Sequence, residues 1–506
     1  MAYAAYTLND FSGGLNLKAK ADEVAENESV YAVNVMFTEG SVKQRPGISE
    51  LTSSALTNGP NTLHPFYTSS GTTQLLAGCG TRLEAVNTSG AVVASLTGLT
   101  STGSPWFWDF CRIGTASGEY AYAGNGENVL KRWDGSAWSS IANTPQGGAL
   151  CVTPSSNRLV VTRFKGTSGG PSASASNPSR VFFSDLGAPE AYTLNAAGAY
   201  NFIDLDPGDG EMIQAAITWR EYVFVFKETK FYVFTGESTN AAGDPVFNYR
   251  KIDTGVGLAA SRAVVAGEQG VYFADQGGIF LTTGEAPTKI SEKVDPVFYG
   301  NQDQFAYFSA NDTADWTQAA QMTMGLWQDL LIVGYRSNGS NNQLVYHTED
   351  GWWSLWNIGS TVSTGFATFR RAGIEELVFA NTGKKIVYMD GTDTDDVGST
   401  IGAAWRSGYM DFGVVERKRL RQIRLWGSGD PKVGVTVDYV KATTTADLAT
   451  IDLGTDAADL LNPGIYRTSK RGTVFSLYLY KGSGTAAWSV HRAIFHFAGS
   501  RLVTDA

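Results

Sequence analysis

The 506-residue sequence holds few side chains whose type and spacing could carry out chemistry, and one of them is a candidate serine nucleophile. Residues 166–170 (GTSGG) match the nucleophile-elbow motif, with Ser168 at its centre. That motif exposes a reactive serine only where a strand turns sharply into a helix. Here it lies in a Gly/Pro/Ser-rich segment, where short patterns arise by chance. We therefore predict a loop and no catalytic residue.

Two acidic segments are candidate metal sites. They are Asp204 to Glu211 (DLDPGDGE) and Asp390 to Asp396 (DGTDTDD). Carboxylates bind Ca²⁺, but neither segment has the spacing of an EF-hand loop, and turns also prefer Asp and Gly. The sequence has four histidines, His64, His347, His491 and His496. None of them forms a close metal-binding pair with another. We predict turns here, and no metal or cofactor.

One dense basic run, Glu416 to Trp426 (ERKRLRQIRLW), stands out in a sequence with a net charge of −10. If it forms a strand, Arg417, Arg419 and Arg421 share one face because side chains alternate. The run predicts a cationic ridge that could contact phosphate or an acidic neighbour. A solvated sheet face explains the pattern equally well.

The elements expected to position these residues are β-hairpins. An aromatic-rich apolar run, a Gly/Asn/Asp turn and a second apolar run recur about seven times, at spacings of about 40 to 60 residues. The units cover residues 74–86, 120–138, 158–163 with 180–184, 222–234, 270–282, 330–347 and 377–389. A lone hairpin buries too little surface to be stable, whereas a ring of packed blades protects every edge. The pattern predicts an all-β protein with a β-propeller of about seven blades. An ordinary β-sandwich is the alternative.

Changes in this pattern divide the chain into three predicted domains. Residues 1–58 form an N-terminal arm in which Lys18 to Met36 is compatible with a short helix, whose narrow apolar face must lie against another domain or subunit. Residues 59–398 form the propeller. Residues 399–506 contain alternating strand patterns and are predicted to be a β-sandwich-like module.

Composition limits the classes of function. Aromatic residues at 12% and 57 glycines, against 17% charged residues, favour compact β structure. The net charge of −10 argues against a surface that holds nucleic acid by neutralising phosphates. No stretch approaches the roughly 18 apolar residues that cross a bilayer, and no signal peptide is evident. Cys79, Cys111 and Cys151 are widely separated, which suits reduced thiols in a protein made in the cytoplasm.

The N-terminal arm carries a family resemblance. Its parts are residues 11–17 (FSGGLNL), the stretch through Glu28, Ala32 and Asn34, and residues 40–47 (GSVKQRPG). Together they resemble the N-terminus of the tail nozzle, or tail-tubular, proteins of short-tailed bacteriophages. Residues 227–236 and 270–280 are similar to that family's propeller repeats, and the strand after Gly413 to its C-terminal module.

The resemblance implies a structural virion protein and no enzyme. It implies a homohexameric tail ring, made in the host cytoplasm, that extends the channel below the portal and adaptor proteins, retains the packaged DNA and permits its ejection. Tail fibre or spike proteins are further expected partners. The residues expected to contact another subunit or the adaptor are Phe11, Gly13, Gly14, Asn34, Arg45 and Pro46.

The rival hypothesis is a glycan-binding or glycan-hydrolysing propeller of a virion or secreted protein. Residues 133–138 (WDGSAW) and 350–353 (DGWW) are similar to the Asp-containing turns of sialidases. They lack the Ser/Thr-x-Asp-x-Gly spacing, and the carboxylates and arginines that a glycosidase needs cannot be assembled from the sequence. A turn followed by a tryptophan that packs between blades explains both segments.

Overall fold

The computed structural model describes residues 4–100, 107–115, 118–141, 149–164, 178–193, 201–241, 245–300, 313–337, 340–358, 365–439, 448–454, 463–481 and 486–498. Regular structure in these ranges is almost entirely β-strand. The helices found there are one α-helical turn, α1 (Pro296–Tyr299), and two 3₁₀ segments, Glu292–Val294 and Trp316–Gln321. No helix among the described residues is long and apolar enough to cross a membrane.

The N-terminal arm consists of short strands and turns. Its strands are β1 (Ala4–Leu8), β2 (Gly14–Leu15), β3 (Glu28–Val33), β4 (Val35–Thr38), β5 (Ser41–Gln44) and β6 (Ser49–Glu50). The helix predicted within Lys18 to Met36 is wrong, because the first ten residues of this stretch form bends and turns and the rest form β3 and β4. Valines at positions 30, 33 and 35 favour strands, and pairing with distant strands overrides the helical preference of Ala and Glu.

Five consecutive antiparallel meanders of four strands follow the arm. The first contains β7 (Thr62–Tyr67), β8 (Thr73–Gly78), β9 (Leu83–Asn87) and β10 (Val92–Leu96). The second contains β11 (Asp109–Thr115), β12 (Gly118–Gly124), β13 (Lys131–Trp133) and β14 (Trp138–Ser140). The third contains β15 (Ala149–Ser155), β16 (Arg158–Phe164), β17 (Arg180–Phe183) and β18 (Phe202–Asp204). The fourth contains β19 (Ala215–Trp219), β20 (Tyr222–Phe226), β21 (Phe231–Thr239) and β22 (Pro245–Ile252). The fifth contains β23 (Val264–Ala266), β24 (Val271–Asp275), β25 (Gly278–Thr282) and β26 (Thr288–Lys289).

Two further meanders complete the central part of the chain. One contains β27 (Thr323–Trp327), β28 (Leu330–Ser337), β29 (Ser340–His347) and β30 (Trp353–Trp356), and it is continuous with a larger sheet. The other contains β31 (Ala367–Arg371), β32 (Ile374–Ala380) and β33 (Ile386–Met389). Its fourth strand is β6 of the arm, with Ser49 opposite Tyr388 and Glu50 opposite Val387. The arm therefore closes the circle of sheets.

The meanders form a β-propeller. The first strand of each contacts the first strand of the next, from β7 through β11, β15, β19, β23, β27 and β31 back to β7. Six of the sheets are separate four-stranded blades. The predictions of an all-β protein and of a propeller instead of a sandwich are confirmed. Apolar clusters fill the spaces between neighbouring blades, so each hairpin gains the packing that it lacks alone.

Eight strands follow the propeller: β34 (Ala404–Ser407), β35 (Lys418–Ser428), β36 (Lys432–Val437), β37 (Ala449–Thr450), β38 (Gly464–Arg467), β39 (Arg471–Gly472), β40 (Phe475–Tyr480) and β41 (Ser489–Ala498). A seven-stranded sheet has the order β38-β35-β41-β5-β4, with β1 on β41 and β39 on β35. A ten-stranded sheet runs β27-β28-β29-β30-β3-β34-β40-β36-β37, with β2 on β3. The predicted C-terminal strands are present, but they share both sheets with the arm, and a separate C-terminal module stays a prediction.

Candidate functional site

Arg45, a charged residue of the arm, is buried inside the chain. Its side chain is 1% exposed and forms a bidentate ion pair with Asp396, at 2.9 and 2.6 Å. Nε donates to Asn34 Oδ1 at 2.9 Å, and the remaining donors reach the carbonyl oxygens of Pro46 and Asn357. We call Asn34, Arg45 and Asp396 the Arg45 network. It joins the arm to one of the acidic segments.

Asn34 lies at the centre of this network. It lies between β3 and β4 with φ +54°, a left-handed conformation that Asn tolerates better than most residues. Its Oδ1 also accepts from the main-chain N–H of Asn357 at 2.7 Å, and its Nδ2 donates to the carbonyl of Gly402 at 3.0 Å. One side chain thus ties the arm to the segments before β31 and before β34.

The Phe-x-Gly-Gly pattern is explained by close packing. Phe11 is fully buried and meets Trp405 edge-on, with ring centroids 5.1 Å apart. Gly14 has φ +73°, and a Cβ added there would lie 2.6 Å from Cβ of Trp352. A Cβ on Gly13 would lie 2.7 Å from Cγ of Glu28. These contacts are within one chain, so the predicted contacts with another subunit or an adaptor stay a prediction.

The other acidic segment is neutralised by lysines. Asp209 pairs with Lys227 at 2.8 Å and Lys230 at 3.0 Å, and Asp206 pairs with Lys251 at 2.8 Å. Burial alone would raise the pKa of Asp209, but the hydrogen bond from Lys227 and further donors lower it to about 2. No cluster of His, Cys, Asp and Glu suited to a metal occurs among the described residues.

The remaining predicted features have structural surroundings. Trp133 is fully buried, and its Nε1 donates to Gln74 Oε1 of the preceding blade at 2.9 Å, so this tryptophan does pack between blades. Cys79, Cys111 and Cys151 are buried, and none of them forms a disulfide in the described part of the chain. Ser168 lies outside the described residues.

The basic run forms β35, but its arginines follow the predicted alternation only in part. Leu420 and Ile423 are both buried because a β-bulge at Arg421 shifts the register. Arg419 is directed to the opposite face from Leu420, and Arg421 lies close enough to lower the pKa of Arg419. Arg417 is exposed and precedes the strand. The ridge thus contains Arg419 and Arg421, and no contact places Arg417 with them.

Neighbouring strands extend this ridge into a wider surface. Arg471 of β39 lies opposite Arg419, Arg467 of β38 lies opposite Gln422, and Arg492 of β41 lies opposite Trp426. The guanidinium of Arg492 covers the Trp426 ring at 5.1 Å. We call this surface the arginine face, and its members are Arg419, Arg421, Arg424, Arg467, Arg471 and Arg492. No local pattern in the sequence indicates the last three, because pairing between distant strands brings them together.

The positive charge of the arginine face is not neutralised. Within the described part of the chain, none of its six arginines forms an ion pair with a carboxylate. Repulsion from Arg421, then burial and repulsion from Arg471, lower the pKa of Arg419. Nε of Arg419 and of Arg424 is shielded from solvent and has no hydrogen-bond partner in the described structure. Apolar side chains lie among the arginines, including Ile465, which is 39% exposed.

Comparisons with known proteins show the fold alone. No family model and no curated protein sequence matches this chain. Among solved structures, a streptogramin B lyase matches with a TM-score of 0.41 and 13% identity, over 68% of this chain and 97% of that one. A structure of BBS1N in complex with ARL6DN, soaked with lead, matches with a TM-score of 0.42 and 11% identity, over 69% of this chain and 99% of that one. Likenesses this distant carry no argument about function.

Proposed function

We propose that the protein is a structural subunit of a short-tailed bacteriophage tail. In this proposal, it forms a homohexameric nozzle ring that extends the portal–adaptor channel, retains packaged DNA and permits its ejection. The observation that carries the proposal is the sequence pattern from Phe11 to Gly47.

The way in which the arm is held supports a role in a rigid channel wall. Strands of the arm contribute to the last blade, to the seven-stranded sheet and to the ten-stranded sheet. One apolar cluster contains Phe11 of the arm, Trp352 before β30 and Phe497 of β41. A wall built in this way has few independent parts, which suits a channel under internal pressure. We also propose that the β27–β30 meander is a seventh blade, since β27 contacts β23 and β31 as other first strands contact theirs.

A ring needs a heterologous contact, in which one surface of a subunit meets a different surface of the next. The arginine face suits such a contact, because arginine and tryptophan are enriched at protein interfaces and lysine is depleted. Each copy carries a net charge of −10, so an adjoining copy offers carboxylates as partners. The exposed Ile465 among the arginines favours a protein surface over a phosphate backbone. We assign the face to the contact between subunits.

Imaging of the virus particle by cryo-electron microscopy tests the proposal. We expect a sixfold ring of this chain directly below the portal and adaptor rings, with the arginine face at a subunit boundary. Particles made with Arg419→Glu and Arg471→Glu should lack the ring, whereas Arg220→Glu, in an exposed turn outside the face, should retain it. A particle without this chain in its tail, or with single copies only, would refute the nozzle. An intact ring in the double variant would refute only the assigned contact.

The glycan-directed alternative has weaker support. Hydrolysis by the usual mechanism needs two carboxyl groups on either side of the bond. Asp109 is the one carboxyl side chain among the described residues that line the central cavity of the propeller. Glycan binding without hydrolysis is the form of this alternative that the cavity can accommodate. Saturable binding of an uncharged glycan by the purified protein would favour this alternative over the nozzle.

A further inference from the structure

The axis of the propeller holds a cavity of 560 Å³ lined by the first strands of the blades. Ligand pockets in proteins usually have volumes of about 300 to 1,000 Å³. The cavity is lined by charged and polar side chains from β7, β11 and β27, and from Ser261 and Arg262, which precede β23. Its size and polarity are those of a small-molecule site.

Arg262 is the cation of the cavity. Its Nη1 donates to the carbonyl oxygen of Asn61 at 2.6 Å, and its guanidinium lies 4.9 Å from the ring centre of Phe107. Its own carbonyl accepts from the N–H of Met324 at 3.0 Å, which fixes the main chain. In the described part of the structure, Arg262 has no carboxylate partner, and its Nε is shielded from solvent without a hydrogen-bond partner.

The charge on Arg262 persists at neutral pH. Burial lowers its pKa to about 10, still well above the physiological range. Arg262 is half-buried, and a cation that loses part of its hydration without gaining a counter-charge is costly. A bound anion would supply that counter-charge.

The other charged groups of the cavity do not supply that anion. Asp109 accepts hydrogen bonds from the main-chain N–H groups of Val152, at 2.8 Å, and Phe110, at 3.0 Å. Burial raises the pKa of Asp109 to about 7, so its charge is partly lost at neutral pH. Arg112 is already paired with Glu119 at 2.6 Å.

Neutral donors lie along the same cavity. Thr323 is 1% exposed, and its hydroxyl has no partner among the described residues, as is true of the Thr62 hydroxyl. Nε2 of His64 is also unpartnered. Burial, followed by the charge of Arg112, lowers the pKa of His64 to about 4, so its ring is neutral.

We propose that the axial cavity binds a small oxyanion, a carboxylate or phosphate group, through Arg262 with the hydroxyls of Thr62 and Thr323. A planar guanidinium presents parallel N–H groups that match the oxygens of either group. The bound anion neutralises Arg262 at the centre of the ring of blades. This inference is independent of the nozzle proposal, since it concerns the interior of one propeller.

Calorimetric titration of the full chain at pH 6 tests the inference, with inorganic phosphate, glucuronate and glucose as probes. Phosphate and glucuronate should each bind at one site per chain, and uncharged glucose should not. Arg262→Gln should weaken binding at least about tenfold, the loss expected for one charge-assisted contact. Arg220→Gln, an exposed arginine stacked on Trp219 outside the cavity, should bind as the original chain does.

A second variant covers the case in which Arg262→Gln does not fold. Thr323→Val removes the hydroxyl at nearly constant volume and should weaken the binding of both anions about fivefold. Circular dichroism reports whether each variant is folded. Three results would each overturn the site: no saturable binding of either anion up to about 10 mM, equal affinity in folded Arg262→Gln, or glucose binding as tightly as glucuronate.

Discussion

Arginine side chains have opposite surroundings in the Arg45 network and on the arginine face. Arg45 is buried, and a bidentate carboxylate and three further acceptors satisfy its donors. On the arginine face, Arg419 lies opposite Arg471 with no carboxylate partner among the described residues. Arg45 therefore stabilises the fold of the chain. The others raise the electrostatic free energy of the isolated subunit and are better suited to a partner.

This difference separates two kinds of functional evidence. A residue in the Arg45 network can be essential without touching any other molecule, because the arm, the last blade and the C-terminal strands meet there. If the arginine face forms the proposed ring contact, replacing its residues should leave the subunit folded and abolish assembly. Variants that separate stability from assembly therefore test the comparison directly.

The largest effect on stability is expected from Arg45→Gln. Removing the guanidinium leaves Asp396, whose side chain is 12% exposed, without its counter-charge. Breaking a buried ion pair in this way costs about 3 to 5 kcal/mol of the free energy of unfolding. Urea denaturation measures that change. Arg250→Gln breaks an exposed pair with Glu285 and should cost less than about 1 kcal/mol; equal losses in both variants would remove the distinction.

A smaller loss is expected from Gly14→Ala. The new methyl group would meet both Cβ of Trp352 and the main-chain nitrogen of Trp353, the latter at 2.8 Å, and a backbone atom cannot move aside cheaply. We expect a loss of about 2 to 3 kcal/mol, from overpacking and from the left-handed backbone together. Gly71→Ala is the matched control, because Gly71 has φ +92° and no atom near its added Cβ. If both variants lose the same stability, the packing of the arm does not explain Gly14.

Asp109 offers an intermediate case, a buried acid without a counter-charge. Burial raises its pKa to about 7, above the ordinary value near 4, so the folded state holds a proton that the unfolded state has lost. The contribution of Asp109 to stability should therefore fall as the pH rises from 5 to 8, by about 2 kcal/mol, and level off above the folded-state pKa. His64, Cys111, Arg112 and Arg262 also line the cavity. Burial lowers the pKa of His64 from its ordinary value of 6.5 to about 4, so His64 makes stability rise between about pH 5 and 6.5 and opposes the Asp109 slope. Denaturation of the original chain and of Asp109→Asn at several pH values separates the two effects, because the stability of the original chain relative to the variant should fall by the Asp109 contribution.

The sequence predicts the local parts of this structure better than the long-range ones. Alternating patterns within hairpins identified the propeller, because strand and turn preferences act over a few residues. The pairing of β6 with β33 could not be foreseen from a two-residue strand. The pair of Arg45 with Asp396 joins residues 351 positions apart. The predicted helix failed for the same reason, since partners far along the chain stabilise β3 as a strand.

The cationic ridge shows how far alternation alone can go. Alternation predicts a ridge of Arg417, Arg419 and Arg421, whereas the bulge at Arg421 changes the order of buried and exposed positions along β35. Arg467 and Arg492 joined the surface through strand pairing that no local pattern specifies. The basic run in the sequence therefore contains only half of the arginine face. The other half can be identified only from the pairing of distant strands in the fold.

The smallest effect on folding is expected where the effect on assembly is greatest. Arg419→Gln combined with Arg471→Gln removes two like charges that face each other across neighbouring strands, an arrangement that destabilises a sheet. The Tm of the isolated chain should rise slightly or change by less than about 2 °C. Light scattering of the assembled protein should show loss of the ring, and added salt should weaken the ring of the original chain in the same direction, because salt screens contacts between opposite charges. If this double variant instead loses as much stability as Arg45→Gln, the arginine face stabilises the subunit itself. The ring contact must then lie on another surface.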